Sequence, residues 1–365
     1  MQTEKKTPDK RAIPCRFPID GEVVSFEQIK EGHINETYLV TTDKGTKYIL
    51  QWINRYVFPN VDAIMNNMSS ISAFLKDSGE RMAMISYIDT LDGRSYYDDG
   101  CGGAWRIYRF VDNSVCLPRA ETPEQFCESA RGFGAFQYAL RDFPAECLEE
   151  TIENFHNTAD RYDKFRAAVA EDACGRLEEV RHEARFILER EERACRLCRQ
   201  LDRGELPVRA THNDTKINNV LFDADTGKAI CVIDLDTVMP GLSAYDFGDA
   251  IRLGASTAAE DKPELDRVRL DLEMFRAFTR GYLEACPSLT AGEVAALAQG
   301  AYTMTIECGM RFLTDYLMGD RYFSVDREKH NLDRCRTQLK LISDMEEHWD
   351  ELERIVAQEA ARLSV

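Results

Sequence analysis

The chain lacks any run of apolar residues approaching the ~20 needed to span a bilayer. Its start, Met1 to Arg16, is polar and basic without the apolar core of a signal peptide. The expectation is a cytoplasmic protein with no membrane partner. Positive charge is scarce: 46 Lys and Arg stand against 64 Asp and Glu, a net charge of −18. Nucleic acids and anionic membranes need a basic surface, so neither is the expected partner. The twelve cysteines show no framework spacing, and a chain of 365 residues buries enough surface to need no disulfide staples. Reduced thiols are expected. The lone C-x-x-C, Cys195-Arg196-Leu197-Cys198, has neither a second pair nor a neighbouring His, which speaks against a zinc or redox site. Internal repeats and low-complexity tracts are missing as well.

The informative stretch is Thr211-His212-Asn213-Asp214-Thr215-Lys216-Ile217-Asn218-Asn219, followed by Cys231-Val232-Ile233-Asp234-Leu235-Asp236. It reads H-x-D-x-K-x-x-N and then a β-rich run ending on a carboxylate. Phosphoryl transfer from ATP needs little covalent help but demands an aligned nucleophile and metal ions over the phosphates. Asp214 can orient or deprotonate an attacking hydroxyl, and Lys216 can reach the γ-phosphate. Asn219 and Asp234 offer hard oxygens for Mg²⁺, and His212 can support the loop from behind. Val220 to Phe222 and Ala229 to Ile233 are apolar runs flanking a turn with Gly227, the pattern of a β-hairpin. The hairpin brings Asn219 and Asp234 to one end.

Residues 1–111 read as a small β-rich lobe. Val23 to Phe26, Thr37 to Thr42, Lys47 to Trp52, Met84 to Asp89 and Ala104 to Phe110 are strand-like, and Asp43-Lys44-Gly45 is a hairpin turn. Between them, Val61 to Lys76 repeats its apolar residues at the helical period. Residues 112–365 read as a helical lobe, with helices near 122–141, 159–172, 175–203, 264–285, 290–318 and 328–362. The fold class is α+β, a bilobal protein-kinase-like architecture whose hinge begins at Arg109.

Several longer strings resemble a known family. They include Gly32 to Thr42, Tyr48 to Gln51, Gly102 to Arg106, Thr211 to Asn219, Val232 to Gly241, Asp246 to Asp249 and Glu307 to Leu313. The chain resembles the aminoglycoside phosphotransferase and choline kinase superfamily and, within it, kinases that act on N-acetylhexosamines. The resemblance implies ATP as co-substrate, Mg²⁺ as cofactor, and a small sugar phosphorylated on its anomeric hydroxyl. It makes Asp214 the base and implies a sugar pocket of Asp214, His33, Arg311 and Tyr322. Gly32, Asn35, Gln51 and the hinge residues Arg109, Phe110 and Val111 would surround the nucleotide. The sequence leaves the oligomeric state open, with a monomer favoured over an assembly. One departure stands out: Gln51 occupies the third-strand position where kinases keep a phosphate-binding Lys, and Val61 to Lys76 has no Glu to pair with one.

Some residues admit two readings. Asp246-Phe247-Gly248 has the letters of a kinase metal motif, but Asp234 already closes the hairpin, so Asp246 is expected to brace the catalytic loop. Asp236, on the same strand face as Asp234 by the period of two, either supports the metal or caps. Arg311 binds sugar or pairs with Asp315 at i+4. Tyr322 is a pocket or a core tyrosine, and His33 a pocket or a turn residue. Gly132-Phe133-Gly134 lacks the third glycine of a dinucleotide fingerprint, so close helix packing is expected there. His156, His182, His330 and His348 have surface or capping roles by default.

Overall fold

The computed structural model describes residues 9–29, 34–78 and 83–363. Three long strands open the fold: β1 (Val23–Ile29), β2 (Glu36–Thr42) and β3 (Lys47–Ile53), each antiparallel to the next. Gly45, at φ +78°, makes the tight turn between β2 and β3 that a side chain would strain. Helix α1 (Val61–Ser78) follows, then the short β4 (Ala83–Met84), β5 (Tyr87–Ile88) and β6 (Tyr97–Asp98), and then β7 (Ala104–Arg109). Strand β7 lies beside β3, giving the order β1-β2-β3-β7-β5, with β6 pairing β7.

Alternation along these strands sends side chains to two faces. Tyr38, Val40, Tyr48, Leu50, Trp105 and Ile107 pack under Ile13 and Phe17 of the N-terminal segment. Leu39, Ile49 and Tyr108 face the other way, toward Phe110, Leu221, Cys231 and Ile233. The chain leaves β7 through residues 110–113 and enters β8 (Ser114–Cys116), which belongs to a second sheet.

Beyond it the protein is mostly helical: α2 (Pro123–Ala139), α3 (Thr158–Glu171), α4 (Arg181–Leu188), α5 (Glu191–Ala194) and α6 (Arg196–Asp202). Then come β9 (Arg209–Thr211), β10 (Val220–Asp223), β11 (Ala229–Val232) and β12 (Met239–Gly241). Helices α7 (Ser243–Gly254), α8 (Leu272–Ala285), α9 (Ala291–Leu317), α10 (His330–Glu347) and α11 (Trp349–Leu363) complete the chain. The hairpin β10–β11 is flanked by β8 and, in parallel, by β4. A β-rich N-terminal region and a largely helical remainder make the kinase-like α+β fold.

The sequence expectations need four corrections. Residues 175–203 are not one helix but a 3-10 turn and α4 to α6. Val180, Ala184 and Ile187 form one buried stripe, but Glu191 falls where it should continue and Leu197 is buried off it, so the chain turns. Helix α8 starts only at Leu272, where Asp271 accepts from the amides of Glu273 and Met274. Residues 328–362 form two helices parted at His348, whose Nδ1 lies 2.9 Å from Asp344 O. Helix α7 and the β9–β12 pair were not foreseen. Gly134 does serve close packing: a Cβ there would lie 2.7 Å from Tyr282 O of α8. Among the described residues no helix is long and apolar enough to cross a membrane.

Candidate functional site

Strand β9 delivers the H-x-D-x-K-x-x-N loop, and its anchorage begins one helix away. Thr290 caps α9 in a reciprocal capping box with Glu293. The Glu293 carboxylate then binds Arg209 at 2.8 Å and the Ser243 hydroxyl at 3.0 Å, joining β9, α7 and α9 at one point. After Thr211 the backbone turns through Asn213 at φ +64°, a region Asn tolerates better than most residues. Its amide nitrogen donates to Thr211 O and Thr237 O.

Two carboxylates one turn apart on α7 receive the loop's backbone. Asp246 accepts from the amides of His212 (2.9 Å) and Asn213 (2.7 Å), and Asp249 accepts from that of Thr215 (3.1 Å). Arg252 pairs with Asp249 at 2.8 Å. Burial pushes the Asp246 carboxyl above its usual range even though His212 and the two amides favour its charged form. Gly248 is there for helix packing: a Cβ on it would lie 2.2 Å from Gly300 O of α9. The fully buried His212 sets Nε2 2.9 Å from Ile233 O, tying the loop to the hairpin.

Asp214 lies at the mouth of this bed. Lys216 Nζ is 2.8 Å from its Oδ1, and Asn219 Nδ2 donates to its Oδ2 at 3.1 Å and to its carbonyl at 2.8 Å. Burial works against ionisation of Asp214, but Lys216, His212 and Asn219 outweigh it and hold the carboxyl below its usual range. Lys216, half-buried beside it, is kept protonated above its ordinary value by Asp214 and Asp249. This arrangement can take a proton from a hydroxyl while a fixed cation stands beside the acceptor of the charge.

Asn219 and Asp234 meet at the hairpin's open end, where Ile233 N donates to Asn219 O at 2.9 Å. Asp234 sits past the end of β11 at φ +59°, and Leu235–Thr237 is a 3-10 turn. The period-two argument for Asp236 therefore fails, because the strand has ended. Burial, then Asp236, then Asp214 raise the Asp234 carboxyl to about 6. This surplus of negative charge, beside an Asn whose side-chain nitrogen is occupied by Asp214 and whose oxygen has no partner among the described residues, fits a hard divalent cation. Among the described residues no group of three or more His, Cys, Asp or Glu is arranged to hold a metal ion by itself. A magnesium ion completed by nucleotide phosphates requires none.

The residues expected around the nucleotide come together in part. Asn35 Nδ2 donates to Asp236 at 2.7 Å, and Gln51 Oε1 accepts from Arg106 Nε at 3.0 Å. Arg109 is exposed at the end of β7, Phe110 is half-buried in the apolar patch between the sheets, and Val111 O accepts from the Ser114 hydroxyl. Gly32 and His33 lie outside the described residues. The patch residues Ile49, Leu221 and Ile233 were missed because hairpin alternation alone does not say which face meets the other sheet.

Arg311 forms no ion pair among the described residues. Asp315, its suggested partner, accepts instead from the amides of Arg321, Tyr322 and Phe323 and from Asn331 Nδ2, all at 2.8–2.9 Å. That fold-back sets the rings of Tyr322 and Phe323 beside Arg311, 5.9 and 5.5 Å from its guanidinium carbon, with Phe155 at 5.3 Å. Tyr322 is 49% exposed, which rules out the core reading. His156 is not a surface residue: Nδ1 meets the buried Glu307 at 2.9 Å and Nε2 lies 3.2 Å from Asn213 O of the catalytic loop. His330 is buried as well, accepting from the amide of Asp326 ahead of α10, whereas His182 is exposed. A second guanidinium, Arg161, donates to Phe155 O, and burial together with Arg311 lowers its pKa.

Residues 25–285 match the model of the APH phosphotransferase enzyme family. Among solved structures, a microcompartment-associated aminopropanol kinase superposes with a TM-score of 0.64 at 17% identity, over 93% of this chain and 96% of the other. An aminoglycoside phosphotransferase from Alicyclobacillus acidocaldarius gives 0.57 at 14%, over 100% and 99%. The amicoumacin kinase hAmiN, solved with AMP-PNP, Ca²⁺ and Ami, gives 0.57 at 16%, over 86% and 87%. The chain belongs to the APH phosphotransferase enzyme family and is a small-molecule phosphotransferase.

Proposed function

We propose that this protein is an ATP- and Mg²⁺-dependent kinase that phosphorylates the anomeric hydroxyl of N-acetylglucosamine or N-acetylgalactosamine. Within it, residues 1–111 are the nucleotide lobe and residues 112–365 carry the catalytic loop and the acceptor site. Asp214, ionised and open to the cleft, takes the proton of the sugar hydroxyl as that oxygen attacks the γ-phosphorus. The bond to the leaving ADP oxygen breaks, and the proton is later lost to water. Lys216, 2.8 Å from Asp214, stands by the transferred group. His212 and Asp246 hold the loop, and Asn219 and Asp234 would hold Mg²⁺, whose charge would offset that of the phosphates. The apolar patch around Phe110 takes the adenine.

Arg311 carries the substrate reading. A guanidinium without an ion pair among the described residues, framed by three aromatic rings and one helical turn from Glu307, suits neutral acceptors rich in hydroxyl and carbonyl oxygens. With Arg161 beside it, a polycationic aminoglycoside would meet like charge. An N-acetyl group adds an acceptor and a donor that glucose lacks, and a site built around them rejects sugars that leave partners unpaired. Coupled ADP release over free sugars, choline and aminoglycosides, with and without Mg²⁺, tests this. The N-acetyl sugars should exceed glucose and galactose by at least ~10²-fold in kcat/KM, and NMR should place the phosphate on O1. A 6-phosphate, or modification of an aminoglycoside alone, would overturn the reading.

A further inference from the structure

Kinases ordinarily fix the nucleotide phosphates with a lysine on the third strand, itself held by an acidic side chain. Here Gln51 fills that position, yet a cation is present one strand over. Residue 51 of β3 pairs in register with Arg106 of β7, and Arg106 Nε donates to the Gln51 side-chain oxygen at 3.0 Å. The guanidinium is fully buried, lies 4.7 Å from the centre of the Tyr87 ring and grips Asp236 with two parallel hydrogen bonds of 2.5 and 3.0 Å. Asp236 in turn accepts from Nδ2 of Asn35, the residue before β2, while Asn35 Oδ1 accepts from the amide of Asn54. The Asp236 carbonyl accepts from the Thr151 hydroxyl at 2.7 Å. One guanidinium thus fastens the first sheet, the approach to β2 and the Asp234–Asp236 turn to each other.

We infer that Arg106 is the positioning residue of the nucleotide site. It takes over the fastening role of the missing strand lysine, with Asp236 as its acidic partner. Being fully enclosed, it acts through Asp236 and Asn35, setting where the Asp234 carboxylate and the start of β2 stand. A fork that engages both Asp236 oxygens and Gln51 together is something a lysine at 106 cannot reproduce. The inference rests on the nucleotide reading of the cleft.

The experiment compares Mg·ADP and N-acetylglucosamine binding by calorimetry, and thermal unfolding, for the wild type, Arg106→Lys and the apolar double variant Arg106→Met/Asp236→Leu. Replacing both members of a buried ion pair by apolar residues often leaves stability unharmed, so the double variant separates folding from function. The expected result is a melting temperature near that of the wild type with Mg·ADP affinity at least ~100-fold weaker and sugar affinity unchanged. Arg106→Lys should lose at least ~10-fold in Mg·ADP affinity. Mg·ADP binding within threefold of wild type in a folded double variant overturns the inference. If the double variant does not fold, unchanged nucleotide affinity in Arg106→Lys overturns it. Absence of Mg·ADP binding by the wild type would overturn the nucleotide reading itself, and this inference with it.

Discussion

The bed under the catalytic loop and the corner that faces the expected metal are built from the same residue types with opposite outcomes. In the bed, Asp246 and Asp249 receive three backbone amides, and Arg252 neutralises Asp249. In the corner, Asp236 is neutralised by Arg106, but Asp234 is left beside two other carboxylates with no cation of its own among the described residues. Buried charges that are fully satisfied hold a shape, and one left unsatisfied marks where a ligand must supply the missing charge. Charge removal should therefore weaken the protein in the bed and strengthen the ligand-free protein in the corner.

Asp214, between the two regions, should show the largest effect. Asp214→Asn keeps the length of the side chain and its place on the loop but removes the proposed base. Turnover should fall by about 10²–10⁴-fold, the usual scale of a positioned base, with melting temperature and nucleotide binding nearly unchanged. Near-normal turnover would take Asp214 out of the chemistry.

In the bed, Asp246→Ala leaves two buried amides without acceptors. Each costs roughly 1–3 kcal/mol, so a loss of about 2–4 kcal/mol in unfolding free energy is expected. Denaturant titration measures it. A variant of wild-type stability with weakened Mg²⁺ binding would exchange the roles of Asp246 and Asp234 and collapse the comparison.

Arg311→Ala probes a third site where charge is left over. With Asp315 spent on the amides of residues 321–323, the change breaks no ion pair among the described residues, so stability should move little. The sugar KM should rise by about 10–10²-fold, the worth of one or two charge-assisted hydrogen bonds, while the KM for ATP stays near wild type. An unchanged sugar KM would remove Arg311 from the acceptor site.

These contrasts were unevenly legible in the sequence. The strands and the β10–β11 hairpin could be read because alternation and turn glycines are local signals. The positions of Asp214, Asn219 and Asp234 followed from motif spacing along one loop and one hairpin. Helix α7 escaped because Ser243–Gly254 is buried almost all round, so it shows no polar face from which to read a period. Without that helix, the i, i+3 relation of Asp246 and Asp249 stayed hidden, and with it the role of Asp249. Arg106 lay in a conspicuous string, but its partner is 130 residues away in sequence and no local pattern announces a pair across two sheets. His156 was misjudged for the same reason, since Glu307 is 151 residues away.

The subtlest test lies in the corner itself. In the folded protein the Asp234 carboxyl is pushed up to about 6 from an ordinary value of 3.8. The folded protein thus holds more protons than the unfolded chain between those two values, and stability contributed by this group falls as pH rises through that window. Below about pH 4 the carboxyl is protonated in both states and the penalty is absent; above about pH 6 it is fully present. Asp234→Asn removes the charge and should stabilise the ligand-free protein by about 1–2 kcal/mol at neutral pH, allowing for water reaching a half-buried group. The gain should shrink toward zero as pH approaches 4. Taking the difference between variant and wild type at each pH cancels acid-labile groups held below their usual range elsewhere in the fold, such as Glu293 and Glu307, whose contributions run the opposite way. The same variant should lose the thermal stabilisation that Mg·ADP gives the wild type. A variant destabilised at neutral pH would mean that the Asp234 carboxylate is held by the fold rather than left for a cation, and the corner would then resemble the bed.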